Sequence, residues 1–172
     1  MNISRALETN IDAIMALVRD AVREKRKNGD DQWDDAYPGR QLITQDILSG
    51  NLFKLVDGHE LLGIIVLNEE QPAPYLALAW DDGDRPLVVH RLCIDPRYQR
   101  RGLARQLMLF AEEHAAASSY SSIRLDTYSK NRAARALFES LDYQPVGDVS
   151  LREDKIFHCY KKPVGGSGNC ES

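Results

Sequence analysis

Cysteine is scarce in this chain. Its three cysteines, Cys93, Cys159 and Cys170, are odd in number and fit no zinc-ligand spacing. That sets aside a disulfide scaffold and a zinc module, and no metal is expected. Basic charge is not in excess either: 22 lysines and arginines stand against 26 acidic residues, a net charge of -4. Broad nucleic-acid binding needs a basic face to neutralise phosphates, so no nucleic-acid partner is expected. No apolar run approaches the roughly 18 residues of a membrane span. The longest, Leu61 to Leu67, is strand-sized, and Met1 to Arg5 lacks the apolar stretch of a signal peptide. A cytoplasmic protein without membrane association is the expectation. Glycine is sparse where nucleotide loops require it. Between Gln99 and Arg105 only Gly102 occurs, which excludes both a triphosphatase loop and a dinucleotide fingerprint.

What is present is most telling between Leu87 and Phe110. Leu87, Val88, Val89, Leu92, Cys93 and Ile94 form an apolar, β-branched run that predicts a buried strand. Asp95-Pro96 ends it, because proline offers no ladder donor. Gln99, Arg100, Arg101, Gly102, Leu103, Ala104 and Arg105 then lead into an amphipathic helix. A helix start carries unpaired amides and partial positive charge, so it is an anion site. Gly102 and Ala104 leave room for a ligand to approach the backbone, and Arg97, Arg100, Arg101 and Arg105 add charge. A pyrophosphate is the expected ligand. The plainer alternative is a solvated basic turn that caps a helix.

The pattern Gln99-x-x-Gly102-x-Ala104, set between a strand and a helix, resembles the acetyl-CoA loop of the GNAT superfamily of N-acetyltransferases. A second segment supports this. Ser122 to Tyr128 alternates as a strand, Ser129-Lys130-Asn131 turns, and Ala134, Leu137, Phe138 and Leu141 recur at helical spacing. The chain leaves through Asp142 to Gly147. This is similar to the family's second motif, whose asparagine reaches the pantetheine region of CoA; Asn131 is the matching position, and it also suits a helix cap. The resemblance implies that the Leu92, Cys93 and Ile94 backbone pairs with the pantetheine arm. It departs at Phe138, where the family's thiolate-protonating tyrosine is usual. Phenylalanine has no proton to give, so the acid role falls to Tyr128, to water or to nothing.

The remaining elements follow from periodicity. Ile11 to Val22 reads as a first helix with Thr9 and Asp12 as a capping box, and Lys25 to Asp35 as a polar loop. Gln41 to Leu48 reads as a second helix. Leu52 to Val56, Leu61 to Leu67, Tyr75 to Trp80, Val146 to Leu151 and Ile156 to Lys161 read as strands. The fold class is α+β. The family resemblance implies a mixed, mostly antiparallel sheet of about six to seven strands with about four helices, splayed between two central strands. Residues 1–164 are expected to form one domain, with 165–172 a disordered tail. Pairing into a homodimer through the sheet is left open.

The resemblance implies an N-acetyltransferase that moves an acetyl group from acetyl-CoA to a primary amine. A non-catalytic module that senses acyl-CoA is the alternative. His90 is the first candidate base. On a regular strand it shares the face of Leu92 and Ile94, its ordinary pKa near 6.5 suits neutral pH, and His90-x-Leu92-x-Ile94 resembles the proton-relay strand of arylalkylamine acetyltransferases. Glu69, Glu70 and Asp126 are lesser candidates. Trp33, Tyr37, Tyr75 and Trp80 are expected to line the acceptor pocket, and Asp34 and Asp35 to solvate their loop.

Overall fold

The computed structural model describes residues 1–165, so almost all of the expected tail at 165–172 lies outside the described residues. Its strands are β1 (Asn2–Arg5), β2 (Leu52–Asp57), β3 (Glu60–Asn68), β4 (Pro86–Ile94), β5 (Ser122–Tyr128), β6 (Gln144–Leu151) and β7 (Lys155–Pro163). Its α-helices are α1 (Ile11–Lys27), α2 (Arg40–Leu48), α3 (Leu103–Ala117) and α4 (Arg132–Ser140). The strands form one sheet in the order β1-β2-β3-β4-β5-β7-β6. Only β4 and β5 run parallel; every other neighbouring pair is antiparallel. Among the described residues, no helix is long and apolar enough to cross a membrane.

β3 is buried on both faces, and its alternation divides the core. Ile65 and Leu67 face α3, where Leu107, Met108, Ala111 and Ala115 pack. Ile64 and Val66 face α1 and α2, against Ile14, Leu17, Val18, Ile43 and Ile47. A third cluster, with Tyr75, Trp80, Tyr128 and Phe157, fills the space at the last hairpin.

Two local expectations fail for physical reasons, and one strand goes unread. Tyr75–Trp80 is not a strand. Ala73–Ala77 is a short 3₁₀ turn with Pro72 and Pro74 at its start, closed by Tyr75 N–H donating to Pro72 O at 2.9 Å; prolines cannot supply ladder donors. The Thr9–Asp12 box does not form either. A 3₁₀ turn occupies Glu8–Asn10, and Asn10 Oδ1 accepts from Leu7 N–H at 2.8 Å. β1 escaped the sequence reading because four residues at a sheet edge carry almost no periodicity.

Two features of β4 shape the centre. First, it pairs with β5 only through Pro86–Val88 against Ser122–Arg124. Beyond that the strands part, while β4 stays on β3 and β5 stays on β7. The expected splay is therefore present. Second, β4 bulges. Cys93 pairs with Ile64 and His90 with Val66, so Arg91 and Leu92 together oppose Ile65, and Arg91 takes φ +48°. A bulge of one residue reverses the alternation beyond it.

Candidate active site

A cavity of about 290 Å³ lies where β4 and β5 separate. On the α3 side it is walled by Val89, Leu92, Leu125, Ala134 and Phe138, all in or against the α3 core cluster. On the opposite side it meets Trp33 and Tyr37 from the α1–α2 loop, and Arg152 and Phe157 from the last hairpin. His90, Asp126, Thr127 and Asn131 also line it. The cavity thus threads the sheet through the splay.

The bulge corrects the expected face of His90. Val88 packs away from α3, and His90 shares its face by period two; Leu92 and Ile94 pack toward α3. His90 still lines the cavity. Its Nε2 lies 3.0 Å from the Glu70 carbonyl, which can only accept, and 2.8 Å from Asn68 Oδ1. The Nε2 proton is assigned from those acceptors, which leaves the Nδ1 lone pair free. Burial, with help from the Arg91 charge, pulls the His90 pKa down to about 4. Passing a proton to it from an alkylammonium of pKa about 10.4 costs roughly 9 kcal/mol, against roughly 4.6 kcal/mol to water at pH 7. The ordinary pKa that recommended His90 as a base is not the one the fold gives it.

Asp126 is a second proton-accepting group at the cavity. It sits on β5 at the cavity wall, and Tyr75 Oη donates to its Oδ2. Burial pushes its carboxyl above the ordinary carboxylate range. Tyr75, expected at the pocket wall, is fully buried and reaches the cavity only through Asp126. Trp80 is likewise core: its indole N–H donates to Tyr75 O at 2.9 Å and Arg124 stacks on its ring. Neither residue lines the cavity. Tyr128, the candidate acid, is also absent from the wall. Its hydroxyl donates to Asp31 Oδ1 at 2.6 Å, and that bond drives its pKa up to about 12.

The loop before α3 has the expected shape. Arg100 and Gly102 adopt φ +63° and +75°, and a Cβ at Gly102 would meet nothing within 4 Å. The first helical bond of α3 is Gln106 N–H to Gly102 O, so the amides of Leu103, Ala104 and Arg105 precede the ladder. Gln99, Arg100 and Arg101 are exposed there, while Leu103 is core. The arginines differ in their commitments. Arg97 is held by Asp95, Arg105 donates to Ser140 Oγ at 2.8 Å, and Arg101 lies over the Tyr98 ring. Asn131 caps α4, accepting from Ala134 N–H at 3.1 Å, and faces the cavity as well. Cys93 is buried on the α1 side with its thiol pushed by burial up to about 12, so it contributes backbone rather than a thiolate.

Trp33 and Tyr37 both line the cavity. Their loop is fixed from several sides. Asp34 is a turn-maker, its Oδ1 accepting from the amides of Ala36 and Tyr37, both at 2.8 Å. Asp31 meets Tyr128 and Lys155. Arg91, thrown toward α2 by the bulge, pairs with Asp46 through two bonds of 2.7 and 2.8 Å and donates to Tyr37 Oη at 3.4 Å. Nothing in the sequence pattern marks Asp46, because a helix aspartate without periodic context reads as solvated. Arg152 was also missed. Its turn, Arg152–Asp154, holds positive φ at three residues that are neither glycine nor asparagine, so no turn signal marks it.

Comparison with known proteins agrees with this architecture. The sequence profile of the Acetyltransferase (GNAT) family matches residues 14–143. The uncharacterized N-acetyltransferase YesJ of Bacillus subtilis (strain 168) is 23% identical over 163 residues, covering 92% of this chain and 88% of that protein. The crystal structure of a GNAT-family acetyltransferase from Streptococcus agalactiae 2603 superposes with a TM-score of 0.85 at 30% identity, covering 95% of each chain. The ribosomal-protein-S18-alanine N-acetyltransferase of Escherichia coli shares the fold with a TM-score of 0.71 at 17% identity, over 99% of this chain and 98% of that one.

Proposed function

This chain belongs to the acetyltransferase (GNAT) family, and from that premise we propose that it acetylates a primary amine with acetyl-CoA as donor. The observation that carries the reading is the cavity that threads the sheet where β4 leaves β5. Its lining runs from Leu92 and the α4-side residues Asn131, Ala134 and Phe138 to the α1–α2 loop and the last hairpin. A donor and an acceptor can therefore meet from opposite faces.

The residues fit a CoA thioester. The Arg100–Ala104 amides face an anion at the head of α3, and open space at Gly102 admits it. Past Val88, β4 has no strand partner on its β5 side. The Leu92–Ile94 backbone is open to an extended arm on that side, where the Leu92 and Ile94 amides point, and one of those amides polarises the acyl carbonyl. The Asn131 amide group donates to the same arm while its oxygen caps α4. Acetyl-CoA supplies an acyl group already activated as a thioester.

The ammonium gives its first proton to water, and removing the second, as the amide forms, is the chain's own task. Asp126 takes that proton, directly or through one water, and Tyr75 fixes its carboxylate by holding the other oxygen. His90 stays neutral and offers its Nδ1 lone pair to an amine N–H, which orients the nucleophile. Tyr128 is tied to Asp31 and donates nothing to the thiolate. Phe138 cannot protonate it either. A thiol of pKa about 8.5 is a workable leaving group near neutral pH without an acid.

The test is calorimetric titration with acetyl-CoA and with CoA, followed by a thiol-release assay over a set of amines. Micromolar binding and amine-dependent thiol release support the reading. Binding without release for any amine leaves a sensing module, and no binding overturns the donor assignment. The pH profile tests the base. A raised Asp126 pKa means that turnover falls as pH falls through that value, at a higher pH than for a surface carboxylate. Asp126→Asn should cut turnover by about 10²-fold or more and abolish that acid limb. An unchanged limb would remove Asp126 from the mechanism.

A further inference from the structure

The cations at the acceptor mouth are not equivalent. Lys25 lies 3.4 Å from Asp30 Oδ2, and Arg91 is doubly bonded to Asp46. Nearby, Lys155 is taken up by the Asp31 carbonyl at 3.0 Å and Glu153 at 3.3 Å. Arg152 differs. Among the described residues it has no carboxylate within 4.0 Å and no side-chain hydrogen bond. Its guanidinium lies 3.8 Å over the Tyr37 ring, with Phe157 at 5.8 Å. All three side chains line the cavity.

Stacking uses the face of a guanidinium and leaves its edge of N–H donors unspent. That edge matches a carboxylate through two parallel bonds. The neighbouring acids do not fill the role. Asp34 is committed to the Ala36 and Tyr37 amides, and Asp126 to Tyr75. Tyr37, the platform, is itself held by Arg91. The result is a fixed cation on the acceptor side of the proton-accepting group, in a cavity of about 290 Å³ that must also hold the end of the donor. Such a space suits a small molecule.

We propose that Arg152 receives the carboxylate of the acceptor, so that the acceptor is a small amino acid-like compound with a primary amine and a carboxylate. This rests on the amine-acetylation reading above. In the reaction the acceptor ammonium first gives one proton to water; the free amine nitrogen then forms the amide bond, the carbon–sulfur bond of the thioester breaks, the second proton of that nitrogen goes to Asp126 and CoA leaves as the thiolate. The acceptor carboxylate is unchanged and only positions the amine.

The experiment compares the twenty amino acids with their α-carboxamides in the thiol-release assay, alongside acetyl-CoA titration of the same protein. At least one amino acid should exceed its own amide by ten- to a hundred-fold in kcat/KM. Arg152→Gln should erase most of that ratio through KM, with acetyl-CoA affinity unchanged, and Arg152→Lys should keep part of it. If acetyl-CoA binds yet no amino acid outpaces its amide, the proposal is overturned while the donor assignment stands. If the ratio exists but survives Arg152→Gln with acetyl-CoA affinity intact, Arg152 is not the carboxylate site and the proposal also fails. If acetyl-CoA does not bind the wild-type protein, the underlying reading fails first.

Discussion

Removing the carboxylate of Asp46 tests how the acceptor side of the cavity is built. Asp46 and Arg91 keep only 7% and 8% of their side-chain surface exposed, and two bonds of 2.7 and 2.8 Å join them. Asp46→Ala leaves the guanidinium buried with one partner, the Tyr37 hydroxyl at 3.4 Å. Breaking one side of a buried pair costs about 3–5 kcal/mol, a large share of a total stability of about 5–15 kcal/mol. At about 2–4 °C per kcal/mol for a domain of this size, Tm should fall by roughly 6–20 °C. Urea denaturation measures the loss directly, with the m-value checking that the unfolded state is unaltered. Asp46→Leu combined with Arg91→Met removes both charges and should recover most of the stability. The double variant should still raise KM for the acceptor, because Tyr37 loses its anchor. An Asp46→Ala protein within about 1 kcal/mol of wild type would refute the claim that this pair holds the bulge to α2.

Two other perturbations follow from geometry already described. Gly102→Ala meets no atom within 4 Å but forces a Cβ into φ +75°, so it should cost about 1 kcal/mol of stability and weaken acetyl-CoA binding by about tenfold; calorimetric affinity equal to wild type would undo the loop assignment. His90 is depressed from 6.5 to about 4, so the folded state binds fewer protons than the unfolded one between those values. Stability then rises with pH across that window, is fully present above 6.5, and is about 3 kcal/mol lower by pH 4 on account of this residue. Denaturation curves of wild type and His90→Gln at pH 7 and pH 4.5 should therefore converge at the lower pH, and parallel behaviour would count against a buried neutral imidazole.

Much of the architecture was legible because its signals are local. Apolar runs marked β3 and β4, helical spacing marked α1 and α3, and Gln99-x-x-Gly102-x-Ala104 marked the loop at φ +75°. What the sequence could not disclose depended on register and distant partners. The extra residue in β4 is invisible until β3 is laid beside it, and it alone decides that His90 and Leu92 face opposite sides. Burial of His90 depends on Asn68 and Glu70, twenty or more positions away, so its titration could not be read from residue type. The aromatic residues divided on the same ground. Trp33 and Tyr37 sit in a loop folded onto the cavity, whereas the prolines before Tyr75 turned that segment into the core and left Asp126 as its link to the cavity.

The sheet order carries a consequence for how this cavity comes into being. β7, the last strand of the described chain, is not at an edge; it lies between β5 and β6. It pairs with β5 along the whole of that strand, and its hairpin brings Arg152 and Phe157 to a wall begun by Trp33 and Tyr37. During synthesis from the N-terminus, the acceptor half of the chamber therefore cannot close until β7 has emerged and inserted. Until then the growing chain has five adjacent strands and the loop before α3, but no enclosed cavity. The closed cavity thus waits until translation has passed the final hairpin.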